Sequence, residues 1–79
     1  MAMNGTDRHI IADIPKRKNV HIRITRFAMI DREIVEIRQY QKNRYGIYEP
    51  TKKAVTIPPE CLSAVIKGLV DAKVAIDGK

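Results

Sequence analysis

A single cysteine, Cys61, occurs among the 79 residues, so the chain has no internal disulfide framework and lacks the partners for a Cys-rich zinc site. No apolar run approaches the ~20 residues needed to cross a bilayer, and the opening Met1 to Arg8 contains no apolar signal core. A soluble, unexported protein with no membrane partner is therefore expected, cytoplasmic and nucleoid-associated if the source is bacterial. Catalytic constellations are missing too. The histidines are His9 and His21 alone, and the sequence has no His-x-x-x-His, Cys-x-x-Cys, glycine-rich phosphate loop or Gly-x-Ser-x-Gly turn. Cys61 falls where a helix opens, but reads as a buried small hydrophobe rather than a nucleophile. These absences exclude an evident enzyme: no catalytic residue, no metal ligand set and no cofactor are expected.

What is present is positive charge. Fifteen Lys and Arg stand against nine Asp and Glu, for a net +6, and a polyanionic partner is the first to consider. The charge is segregated: Met1 to Ile57 carries 12 basic and 6 acidic residues, and Pro58 to Lys79 carries 3 of each. A chain this short buries only about 60% of its unfolded surface, so self-association would help it to be stable.

The pattern of elements is strand, strand, strand, strand, helix. Met1 to about His9 has no period and reads as a mobile arm; Ile10 to Ile14 reads as a short edge segment ended by Pro15. The alternation of Val20, Ile22 and Ile24 marks the clearest strand. Carried past Arg26, it places Phe27 with His21, Arg23 and Thr25 on the polar side, unless the strand bulges near Arg26 and turns the ring into the core. Ala28 to Arg32 reads as a connection and Glu33 to Gln41 as a second strand, with Val35 and Ile37 on one side and Glu36, Arg38 and Tyr40 on the other. Lys42 to Gly46 is a turn by composition, followed by a short third strand around Ile47 to Glu49 that Pro50 ends or marks as an edge. Ala54 to Ile57 is a fourth strand. Pro58-Pro59-Glu60 opens a helix whose stripe of Leu62, Val65, Ile66, Leu69 and Val70 runs to about Lys73. One domain is thus expected over residues 10–73, with a tail over 74–79.

A nucleic-acid-binding surface needs positive charge along a groove and flat side chains for bases to stack on. Arg23, Arg38 and the clusters Lys16-Arg17-Lys18 and Lys52-Lys53 supply the first; Phe27 and Tyr40 supply the second. The competing reading pairs Arg23 and Arg38 with Glu33 or Glu36 as ordinary cross-strand ladders.

The run Glu36-Ile37-Arg38-Gln39-Tyr40, then Gly46-Ile47-Tyr48-Glu49-Pro50-Thr51-Lys52-Lys53-Ala54-Val55, then an amphipathic helix, resembles the transcriptional coactivator family typified by positive cofactor 4. The resemblance covers about Ile14 to Lys73. It implies an α+β homodimer, each protomer a curved four-stranded antiparallel sheet followed by one C-terminal helix that packs at the dimer interface. It also implies binding to single-stranded or unwound DNA with little sequence preference. Position by position, Phe27 resembles the family's base-stacking aromatic, Arg38 its backbone-contacting arginine, Lys52 and Lys53 its basic pair, and either Lys16 or Lys18 the basic residue before the first strand. The chain departs from the family at Gln41, where an aromatic is usual, leaving Tyr40, Tyr45 or Tyr48 to supply a second platform, and at Ala54, where glycine is usual. The serine-rich acidic region of animal members is absent.

Two functional readings follow. In the first the dimer binds single-stranded DNA through Lys16 or Lys18, Arg23, Phe27, Arg38, Tyr40, Lys52 and Lys53, as a coactivator-like or DNA-transaction accessory protein; RNA is the alternative strand, since phosphate gripping and stacking do not read the 2′-hydroxyl. In the second the chain is a scaffold recruiting transcription or replication proteins through its helix and tail. Gly68 within the helix costs about 1 kcal/mol relative to alanine, and reads either as the close approach of another backbone or as an ordinary exposed glycine.

Overall fold

The computed structural model describes residues 8–78; the expected arm over 1–7 lies outside them. Four strands, β1 (His9–Arg17), β2 (Val20–Met29), β3 (Arg32–Lys42) and β4 (Tyr48–Ile57), form one antiparallel sheet in the order of the chain, and helix α1 (Pro59–Asp77) follows. The α+β class, the strand count and the terminal helix are those expected from the sequence.

Element limits differ from the expectation in four places, three in strands and one in the helix, each for a local reason. Pro15 does not end the first strand: β1 is an edge strand, where a missing N–H costs no ladder bond, and Pro15 pairs with His21 inside it. The expected connection over Ala28 to Arg32 is mostly strand, because β2 and β3 pair without a slip from Val20–Gln41 to Met29–Arg32 and leave only Ile30 and Asp31 to turn. The expected third and fourth strands are a single β4. Pro50 lies within it, again on an edge, and a bulge between the Arg38 and Tyr40 pairings absorbs the extra residues. Finally, the helix continues past Lys73 to Asp77, taking in most of the expected tail; Lys67–Asp71 and Lys73–Asp77 pair one turn apart along it.

Unbroken pairing of β2 with β3 fixes the two faces of the sheet. Ile22, Ile24, Val35 and Ile37 share one face. His21, Arg23, Thr25 and Phe27 share the other with Ile34, Glu36, Arg38 and Tyr40. On the apolar face Ile24, Val35, Ile37 and Ile57, with Ile11 from the irregular stretch of β1, look across a groove of about 380 Å³ at Leu62, Val65, Ile66 and Leu69 of α1. The helix lies beside the sheet without being covered: none of its residues is buried, and Leu69 is 61% exposed. Cys61 is exposed as well, contrary to the buried position expected for it. A Cβ built on Gly68 would meet nothing within 4 Å, so the close approach expected there is not made within the chain.

Candidate nucleic-acid interface

The polar face is built around the centre of β2 and β3. Residues two apart on a strand share a face, so Glu36, Arg38 and Tyr40 rise in a row, opposite Thr25, Arg23 and His21. Arg38 is held from two sides: its Nη2 donates to Glu36 Oε2 at 2.7 Å and its Nη1 to the Thr51 carbonyl at 2.6 Å. The second bond exists because of the β4 bulge. There the Thr51 hydroxyl donates to the Gln39 carbonyl at 2.7 Å, taking the place of a ladder bond and turning the Thr51 carbonyl toward Arg38. Arg23 donates to Asp13 through Nε and Nη2 at 3.2 and 3.3 Å, while its guanidinium carbon lies 4.2 Å from the centroid of the Tyr40 ring. His21 stacks on Tyr48 with centroids 4.1 Å apart and approaches Asp13 through Nδ1 at 3.3 Å; the Lys42 ammonium lies 5.6 Å from the same tyrosine ring. This face layers flat groups on cations.

The electrostatics follow from these pairs. Hydrogen bonding and charge from Arg38, then Arg8, hold the Glu36 carboxyl below the ordinary range against the opposing effect of its burial. Arg23, then His21, do the same to Asp13. Arg38 and Arg23 are driven up by the same partners. Between Arg8, Glu36, Arg38, Tyr40 and Pro50 lies a groove of about 290 Å³ with a largely polar lining.

Phe27 falls on the polar side, as uninterrupted alternation requires, and not in the core under the helix. It is not an open platform, however. It is only 4% exposed, because the Arg8 guanidinium lies across it with Cζ 4.1 Å from the ring centroid and Nη1 donating to Glu36 Oε1 at 3.1 Å. The arginines are likewise paired, though not as the expected cross-strand ladder with Glu33 or Glu36: Arg38 pairs with Glu36 two residues along its own strand, and Arg23 with Asp13 of β1, while Glu33 pairs with Arg26.

The structure divides the residues singled out in the sequence. Arg23, Phe27, Arg38 and Tyr40 come together on the polar face. Lys16 does not join them: its ammonium reaches Gln39 Oε1 at 2.9 Å, and Gln39 belongs to the opposite face. Lys18 is exposed in the turn between β1 and β2, and Lys52 and Lys53 are exposed on the β4 bulge. Lys53 lines a shallow depression with Ile22, Ile37, Gln39 and Val55 on the apolar side. Among the described residues no ion pair engages Lys18, Lys52 or Lys53. Ala54 pairs with Arg38 in ordinary extended backbone, so no glycine is needed there. Of the candidates to replace the aromatic missing at Gln41, Tyr48 takes part in the polar face, whereas Tyr45 is exposed at the turn beside Arg44. Sequence reasoning missed Arg8, Asp13 and His21 as members of the site. His21 shares the parity of Arg23 and was detectable; Arg8 and Asp13 reach the site from β1 and its approach, whose register no periodicity announced.

An open antiparallel sheet with arginines and aromatic rings on one face and one helix beside the other defines a small α+β domain of one sheet layer and one helix. No protein-family model matches the sequence, and no curated protein does either. Among solved structures, a PC4 homologue from Burkholderia pseudomallei is 34% identical in its orthorhombic crystal form, with 86% of this chain and 92% of that chain covered and a TM-score of 0.77. Its tetragonal form is also 34% identical, covering 85% and 98% at a TM-score of 0.76. The chain belongs to this family of homologues of positive cofactor 4 (PC4). A bacteriophage T5 homologue of the eukaryotic transcription coactivator PC4, implicated in recombination-dependent DNA replication, shares the fold at 17% identity and a TM-score of 0.59, with 91% of this chain and 88% of that chain covered.

Proposed function

We propose that this protein binds single-stranded or unwound DNA as a homodimer, through the polar face of its sheet, as a coactivator-like or DNA-transaction accessory protein. The observation that carries the reading is the layering of Arg23 on Tyr40 and His21 on Tyr48, side by side with the Arg38 groove. Flat groups already stack on these rings, and nucleobases present the same flat surface to them. The phosphates have Lys18, Lys52 and Lys53 at the margins of the sheet, engaged in no ion pair among the described residues, with Arg38 offering the N–H donors that Glu36 and Thr51 leave. Membership of the PC4 family supports the assignment, and +6 of net charge supports a polyanionic partner.

The homodimer is supported by what a single chain leaves uncovered. Leu69, Val70, Val74 and Ile76 of α1 are all exposed, as are Ile11, Ile14 and Val55 of the sheet. The chain is only 18 Å thick in its shortest dimension and has a radius of gyration of 14.7 Å, above the ~12 Å expected of a compact domain this size. A second copy covering the helix and the apolar face would restore a core of ordinary depth.

Competition among single-stranded DNA, double-stranded DNA and RNA across a salt series tests the reading. Single-stranded DNA is expected to win, and log affinity to fall linearly with log salt by about 0.7 per phosphate contacted. Equal affinity for duplex and single strand, or binding insensitive to salt, would remove it. A protein that fails to shift single strands at low salt, yet retains protein partners after nuclease treatment, would instead be the scaffold.

A further inference from the structure

Arg8 makes two contacts at once. Its planar guanidinium covers Phe27 at 4.1 Å, and its Nη1 donates to Glu36 Oε1 at 3.1 Å. The site beneath it is built: Phe27 and Glu36 are each 4% exposed, and beside them the Thr25 hydroxyl, opposite Glu36 in the register, is buried without a hydrogen-bond partner. Glu36 keeps its other oxygen on Arg38 at 2.7 Å, so the carboxylate stays fixed when Arg8 leaves. The Arg8 side chain is 43% exposed and comes from the chain just before β1.

A flat group that stacks on a ring while donating N–H bonds sideways to a carboxylate describes a guanidinium. It equally describes the N1–H and N2-amino edge of guanine, which is an acylated guanidine. We infer that Arg8 occupies, in the free protein, the place of a guanine base, and that the Phe27–Glu36 pair is a guanine-preferring subsite within the single-stranded DNA surface. This rests on the nucleic-acid reading and adds base preference to it. The incoming guanine stacks on Phe27 and donates to the Glu36 oxygen that Arg8 gives up, and the freed Arg8 is available to a phosphate. Thymine is disfavoured, because its single N3–H lies between two carbonyls that face the carboxylate. Adenine and cytosine offer one amino group beside an acceptor nitrogen, and so meet Glu36 less well.

The test compares oligo-dT with alternating thymine–guanine and thymine–hypoxanthine strands of equal length, by fluorescence anisotropy in a lithium buffer that suppresses guanine quadruplexes. The guanine strand is expected to bind about tenfold more tightly than oligo-dT, the scale of one good two-donor base contact. Hypoxanthine, which lacks the 2-amino group, should fall between them. Glu36→Gln should reduce the guanine advantage, provided circular dichroism shows it folded; the hypoxanthine strand asks the same question without altering the protein. Arg8→Ala should keep the guanine preference and, at high salt where its lost charge matters least, tighten binding. Equal affinity for all three strands, an undiminished advantage in a folded Glu36→Gln, or weaker high-salt binding by Arg8→Ala would each overturn the inference while leaving DNA binding intact. Absence of binding to any strand would instead remove the nucleic-acid reading beneath it.

Discussion

Arg38 and Glu36 stand two residues apart on β3, side by side on its polar face, and the guanidinium donates to the carboxylate at 2.7 Å while the Thr51 carbonyl takes a second donor at 2.6 Å. An arginine held this way is oriented in advance, and a phosphate takes the N–H donors that Glu36 and Thr51 leave. Replacing Arg38 by alanine therefore removes one phosphate contact and leaves a buried carboxylate with Arg8 as its remaining partner. Affinity is expected to fall alike for single-stranded sequences that lack guanine, and the salt dependence to flatten by about 0.7 in log–log slope. Anisotropy titrations at several salt concentrations measure both. An unchanged slope would place Arg38 outside the phosphate path.

Phe27 calls for a substitution milder than alanine. With the ring 4% exposed, Phe27→Ala should cost about 3–5 kcal/mol of stability, as buried phenylalanines do, and confuse unfolding with lost stacking. Phe27→Leu, closer in volume, is expected to cost under about 1.5 kcal/mol and to weaken binding to oligonucleotides while the protein stays folded. Undiminished affinity in the folded leucine variant would show that no base uses this ring.

Acid should destabilise the domain through Glu36 and Asp13. Both carboxyls are held below their ordinary values, Glu36 chiefly by Arg38 and Asp13 chiefly by Arg23. A carboxyl whose folded pKa is depressed binds its proton more readily in the unfolded chain. The stability it contributes is therefore complete above its unfolded pKa of about 4 and is lost as pH falls through the lower folded value. Urea midpoints measured from neutral pH downward should hold steady and then drop below about pH 4. In Glu36→Gln the drop should be shallower, since one of the two groups no longer titrates. An identical acid limb in that variant would mean that Glu36 is not linked to folding.

How far the sequence revealed this arrangement depended on how local each feature is. The alternation of Val20, Ile22 and Ile24 located β2, but it left Phe27 either beside Arg23 or turned inward by a bulge, and only the unslipped pairing of β2 with β3 puts it beside Arg23. Proline signals misled at Pro15 and Pro50, since a proline on an edge strand looks the same in sequence as one that ends a strand. The β4 bulge, which turns the Thr51 carbonyl to Arg38 and carries Lys52 and Lys53, has no signature beyond an irregular period. The cover over Phe27 joins Arg8 to residues on two other strands, and no periodicity reports contacts so distant in the chain. Composition showed that positive charge was plentiful; only the fold shows which arginines already have carboxylate partners.

Association through α1 has a direct test in two neighbouring positions, Leu69 of its apolar stripe and Gly68 beside it. Leu69→Glu puts a charge where a second copy would cover the helix, and should convert a dimer into a 9.0 kDa monomer in sedimentation. Gly68 discriminates further. Nothing in the chain obstructs a Cβ there, so in an isolated protomer Gly68→Ala would simply strengthen the helix by about 1 kcal/mol. If a partner backbone approaches at Gly68, the same methyl should weaken the dimer instead. A wild-type protein that sediments as a monomer at micromolar concentration would remove the dimer altogether.

The turn between β2 and β3 stores strain that can be released without touching the sheet. Ile30 has φ of 57° and is 95% exposed, so a β-branched side chain sits in the left-handed region with no burial to offset its clash with the backbone. Asparagine tolerates that conformation and would lose no packing. Ile30→Asn is expected to raise stability by about 1 kcal/mol, read as a higher urea midpoint with an unchanged slope. Ile30→Val keeps the branch and should show no gain. If Ile30→Asn is instead destabilising, the isoleucine must be making a contact that the isolated chain does not contain, and its side chain would then belong to the dimer interface. Sedimentation of the same variant would show this directly, as loss of the dimer alongside the loss of stability.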